Sequence, residues 1–326
     1  MAETGENVVI QSGDCSLLLL PALGGKIASI RVRDHELLQA PLHPYHPRTA
    51  SMGFAEADAS GWDECLPSVG ECSVPTAAGS AAIPDHGDLW RLPWQILDKT
   101  PDSATLRARC FSLPLQLTRS LILSPLPSLP NSGWKLQLFY SLTNLGAYNV
   151  PWSWSAHPLF AVQPGDQILL PDSVRTLHVE GSAASRLGSH GDSVSWPIAQ
   201  FSVPGSGAFL PQDLSIVQAA STGIGDKLSA GPLQQGWGIL DRPSVGLRLT
   251  VRFDPAITPY LGLWICYGGW PAEPGPKQVC VALEPATSPV DSLAETGAWS
   301  RLLEPGETVN WFMDLEISSL PETRSN

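Results

Sequence analysis

Thirty-one prolines and 29 glycines interrupt this 326-residue chain so often that few apolar runs are long enough for a helix of several turns. What survives between the breaks is short, and it either alternates apolar with polar or is wholly apolar. Those are the two signatures of half-buried and fully buried strands. Strands are expected near 16–20, 25–33, 104–110, 115–123, 134–144, 150–157, 247–254, 260–267, 277–284 and 307–317. WKLQLFYSLTN and LRLTVRFD show the cleanest period of two. The proline-rich stretches APLHPYHPR (40–48), LSPLPSLPNSG (123–133) and YGGWPAEPGPK (267–277) read as loops, because proline has no N–H to give to a ladder.

Composition is even from end to end, with no internal repeat and no flexible linker. The economical reading is therefore one all-β domain over 1–326, a large antiparallel β-sandwich with its core at about 6–320. Nineteen Lys and Arg against 31 Asp and Glu give a net charge of −12, and no basic stripe occurs, so nucleic acid is an unsuitable partner. The opening MAETGENVVI lacks a basic region followed by an apolar one, and LLLLP at 17–21 is too short for a bilayer. A cytoplasmic protein without a membrane partner is expected. Six cysteines with no CxxC pair are expected to be reduced and partly buried. His35, His43 and His46 match no metal-ligand spacing, so no metal is expected. Oligomeric state is left open.

Three stretches set ionisable residues among aromatics: PDHGDLWRLPW (84–94), WSWSAHPLF (152–160) and WICYGGW through VALEPATSPVDS (264–292). Sugar sites need this mixture, flat rings for the C–H faces and a few carboxylates and imidazoles for the hydroxyls. Hydrolase, nucleotide and metalloprotease chemistry lacks its anchors, since GxSxG, Walker-type, GxGxxG and HExxH patterns are absent.

GGKIASI (24–30), PDHGDLW (84–90), SAHPLF (155–160) and ALEPATSPVDS (282–292) follow the order and approximate spacing of the galactose-mutarotase-like, or aldose 1-epimerase, superfamily, which the chain resembles over nearly its whole length. The resemblance implies a β-supersandwich, a small-molecule sugar as ligand and no cofactor. It also implies roles: His157 as general acid, Glu284 as general base, His86 as a sugar-binding histidine, and Asp241 in ILDRPS as a hydroxyl-binding aspartate. Opening a cyclic hemiacetal moves one proton off the anomeric hydroxyl and another onto the ring oxygen, which suits a carboxylate and an imidazole. On this reading the tryptophans and prolines adjoining His157 wall in its ring.

Two departures from the family pattern bear on the substrate. Where members acting on hexose 6-phosphates read HGxxR, this chain has HGDLW. Trp90 replaces the arginine, and Arg91, on an expected strand, would face away, so an unphosphorylated sugar is favoured. GWDECLPSVGEC (61–72) reads as a pocket loop in which Asp63 and Glu64 bind hydroxyls beside a stacking Trp62, with Trp270 as another aromatic surface. The leading expectation is an aldose 1-epimerase (mutarotase) of a free sugar. Its rivals are a non-catalytic carbohydrate-binding or sensing module and an epimerase or isomerase of another hydroxylated ring or glycoside.

Overall fold

The computed structural model describes residues 6–77, 79–127, 129–202 and 207–320. Two large antiparallel sheets, of eleven and eight strands, make the body of the molecule, with three two-stranded ribbons at their margins. Helix among the described residues is limited to six 3₁₀ turns of three residues. The expected strands are all present, with ends shifted by a few residues. The expected strand at 150–157 is two, Val150–Trp152 and Ser155–Ala161, which pair in different sheets.

The stretch 123–133 departs from expectation. Leu115–Leu126 and Leu129–Asn144 run into it from both sides, so Pro125 and Pro130 lie within strands. Both sit near the hairpin tip, where the register between the two strands shifts at Pro125 and Leu126. There a missing N–H costs little.

In the eleven-stranded sheet the central strands run in the order Trp62–Cys65, Ser155–Ala161, Val279–Ala286, Tyr260–Tyr267, Ile224–Ala230. Side chains alternate between its two faces. Ala156, Phe160, Leu228, Leu263 and Leu283 point one way, into the core shared with Leu121, Leu136, Leu249 and Leu315 of the eight-stranded sheet. Burying each such leucine contributes about 1.5–3 kcal/mol. The opposite face presents His157, Leu159, Glu284, Gly262, Trp264 and Lys227, and there the functional groups collect. No helix among the described residues is long and apolar enough to cross a membrane.

Candidate functional site

A cavity of about 270 Å³ opens on that second face. Its floor carries His157 and Lys227, its walls are Phe54, Trp264 and Trp270, and Asp85, His86 and Asp291 stand at its edge. Glu284 lies just beneath, with its side chain only 1% exposed. His157 and Glu284, 127 positions apart in sequence, come together because Ser155–Ala161 and Val279–Ala286 are adjacent strands. His157 Nε2 is 3.8 Å from Glu284 Oε1, too far for a hydrogen bond. Glu284 Oε1 and His157 Nδ1 are buried without any hydrogen-bond partner. A buried polar atom left unpaired is costly, so each is an invitation to a ligand.

The other carboxylate oxygen is taken. Lys227 Nζ donates to Glu284 Oε2 and stands 3.9 Å from Asp291 Oδ1. Burial pushes Glu284 above the usual carboxylate range, a rise that Lys227 opposes and Asp291 reinforces. Burial alone would lower Lys227, but Asp291 and Glu284 outweigh it and hold its ammonium charged. Gly262 lies opposite Glu284 in the neighbouring strand. A Cβ at Gly262 would come within 3.1 Å of Glu284 Oε2, so the missing side chain makes room for the carboxyl group.

His157 is pressed well below its ordinary value, first by burial and then by His86, Lys227 and Lys26. Its ring is therefore neutral at pH 7, with one N–H donor and one acceptor nitrogen. His86 approaches it edge-on at 5.2 Å and stacks on Phe54 at 4.0 Å. His86 Nδ1 lies 2.9 Å from Asp85 Oδ2. The turn that aims His86 is strained, since His86 and Gly87 both have positive φ, 58° and 68°. Gly87 has no alternative there, because a Cβ would fall 2.2 Å from the Leu66 carbonyl oxygen.

Of the other residues singled out from sequence, Trp270 lines the cavity. Asp63, Glu64, Trp90 and Asp241 do not. Of the stretch 61–72 read as a pocket loop, Trp62–Cys65 is a buried central strand, while Val69 and Gly70 beyond it line the cavity. Asp63 shares His157's face and pairs with it in register. It is 2% exposed and held by Lys26 at 2.5 Å and Arg48 at 3.5 Å, so it supports the floor from below. Glu64 points into the core between the sheets, where Arg119 and Tyr140 donate to its Oε1 and Trp154 to its Oε2.

Trp90 is wholly buried behind Phe54, flanked by the guanidinium groups of Arg48 and Arg91. Leu89–Arg91 is a 3₁₀ turn and not a strand, and Arg91 donates to the carbonyls of Met52, Asp85 and Gly87. Asp241 belongs to the eight-stranded sheet, paired with Arg248 at 2.7 Å, away from the cavity. The tryptophans preceding His157 also fall elsewhere. Trp152 and Trp154 pack around Trp311 in the inter-sheet core, and the walls around His157 come from distant segments instead.

Lys227, Phe54 and Trp264 escaped sequence reasoning. IGDKLSA (224–230) has too much Gly, Asp and Lys to look like a strand, yet it is one. The usable signal was Leu228 and Ala230 alternating with Lys227 and Ser229. No group of three or more His, Cys, Asp or Glu among the described residues is placed to hold a metal ion.

No protein-family model matches this sequence, and no curated protein matches it either. Solved structures do match in shape. The Slr1438 protein of Synechocystis sp. PCC 6803 is 17% identical, with 98% of each chain covered and a TM-score of 0.70. A galactose mutarotase related enzyme of Lactobacillus acidophilus is 13% identical, covering 98% of this chain and 99% of its own, at a TM-score of 0.64. The GalM/aldose epimerase homologue of C. elegans is 12% identical over 97% of this chain and 100% of its own, at 0.58. Architecture and overlap agree with the resemblance carried by the four sequence motifs: this chain has the galactose mutarotase-like fold.

Proposed function

We propose that the cavity binds an unphosphorylated sugar and interconverts its α and β anomers, with Glu284 as base and His157 as acid. One observation carries this reading: an imidazole that lines the cavity and a carboxylate just beneath it, from distant parts of the chain, lie 3.8 Å apart, each with an unpartnered polar atom. The two oxygens of a hemiacetal share one tetrahedral carbon, so each can reach its own catalytic group at ~2.6–3.2 Å. Glu284 Oε1 accepts the proton of the anomeric hydroxyl. The electron pair of that O–H bond forms the C1 carbonyl, the bond from C1 to the ring oxygen breaks, and the ring oxygen takes a proton from His157. Rotation about C1–C2 and reclosure deliver the other anomer as His157 takes its proton back from the ring-forming hydroxyl and Glu284 gives its proton to the former carbonyl oxygen.

The preference for an uncharged sugar rests on the cations. Lys227 is the cation among the residues lining the cavity, and Glu284 and Asp291 already neutralise it. Arg91 is consumed by backbone carbonyls, leaving no free guanidinium for a phosphate. Burial raises Glu284 and lowers His157, so the productive form, an ionised Glu284 with a protonated His157, is most populated between their two titrations. The rate is accordingly expected to peak on the acid side of neutrality.

Polarimetry of freshly dissolved α-glucose and α-galactose tests the reading. The protein should speed mutarotation, and Glu284→Gln should abolish the effect while sugar binding persists. Binding by the wild type without acceleration would instead assign a carbohydrate-binding module.

A further inference from the structure

A second depression of about 650 Å³ adjoins the catalytic cavity and shares Phe54, Asp85 and Trp270 with it as common walls. Its outer side is built from Ala55 and Glu56, which follow Phe54 in a 3₁₀ turn, and from the loop around Glu273 and Pro276. From these contiguous cavities we infer that the protein acts on the reducing end of a neutral oligosaccharide, with one sugar unit in the inner cavity and the next in the outer one. The inference rests on the acid/base reading of His157 and Glu284.

Size and orientation support it together. At about 270 Å³ the inner cavity lies near the ~300 Å³ lower limit of small-molecule clefts, room for a single pyranose ring. Ring opening requires a free anomeric hydroxyl, and the groups that act on it are on the floor. The anomeric end must therefore point inward, and only the far side of the ring, carrying C3 and C4, can bear an extension. That side faces Trp270 and Phe54, whose rings lie 6.3 Å apart at the boundary between the two spaces. The outer depression offers aromatic and proline surface for a sugar face and the carboxylates of Glu56, Asp85 and Glu273 as acceptors for hydroxyls. No Lys or Arg lines it, so a uronic acid or phosphorylated second unit is disfavoured.

The test compares glucose with cellobiose, maltose and laminaribiose, all with glucose at the reducing end, in mutarotation kinetics and in calorimetric titration of Glu284→Gln. At least one disaccharide should show a KM and a Kd about tenfold below those of glucose. Ala55→Trp, which fills only the outer depression, should erase that advantage and leave the constants for glucose unchanged. Cellobiuronic acid should bind no better than glucose. Equal constants for glucose and every disaccharide, or a disaccharide advantage that survives Ala55→Trp, overturns the inference even if glucose is turned over. If no sugar is turned over, the catalytic reading fails, and the titrations alone decide the outer subsite by the same two criteria.

Discussion

Replacing Lys227 with methionine removes the ammonium that caps Glu284 Oε2 while keeping most of the stem. Glu284 is 1% exposed and would be left in the fold with the like charge of Asp291 still acting on it. Breaking a buried pair by deleting one partner typically costs about 3–5 kcal/mol. Here the carboxylate can escape most of that by taking up a proton, so the cost appears as a displaced titration. At ~1.4 kcal/mol per factor of ten, the equilibrium moves toward the neutral acid roughly 10²–10³-fold. On the proposed reading, the neutral acid cannot accept the anomeric proton. On the acid limb of the pH profile kcat/KM should therefore fall by that factor, with the limb displaced to higher pH by about two units or more.

The same ammonium depresses His157, so the alkaline limb should move in the same direction. Lys227→Arg keeps the charge and should keep both limbs near their wild-type positions. The assay is mutarotation across pH 4–10, with thermal unfolding as a control for folding. Limbs that stay in place in Lys227→Met, at unchanged unfolding temperature, would refute the claim that Lys227 sets the ionisation of Glu284.

Gly262→Ala should lower kcat about tenfold with little change in unfolding temperature, since its Cβ, 3.1 Å from Glu284 Oε2, must nudge the carboxyl by a few tenths of an ångström. Glu64→Gln should cost about 3–5 kcal/mol of stability by leaving the buried Arg119 uncompensated, with sugar affinity per folded molecule unchanged. Asp241→Asn should alter neither affinity nor kcat, because Asp241 pairs with Arg248 on the other sheet. Burial would raise Asp58, but Lys26 and Arg48 outweigh it and hold it at about 2 against an ordinary 3.8. It therefore contributes about 2 kcal/mol above pH 4 that is lost as the pH falls toward 2. Chemical denaturation of wild type and Asp58→Asn across that window checks it.

The strands with clear alternation were legible in the sequence because a period of two is a local property. So was the likeness of fold, carried by four short motifs in order. The locations of His157 and Glu284 could be named but not their separation, which depends on which strands become neighbours. Asp63 and Glu64 show how finely the remainder is set. They are consecutive, and the pleat sends one beneath the cavity and the other into the opposite core. Local sequence does not say which strand they belong to, so it cannot assign their faces. Trp90 and Asp241 fail for the same reason: their partners, Phe54 and Arg48 in one case and Arg248 in the other, become known only once the sheets are assembled. Lys227 was hidden in a strand whose Gly, Asp and Lys are uncommon in strands.

The cavity floor and the layer just beneath it are a mosaic in which neighbouring tiles come from residues 157, 227, 262 and 284, each on its own strand of a single sheet. No excised fragment shorter than that span can hold it. Because a slip of one residue in any of those ladders turns its tile face-down, the molecule has no half-formed version of the site. Sugar binding should then vanish with global unfolding rather than ahead of it, so occupancy by a ligand doubles as a gauge of correct strand register.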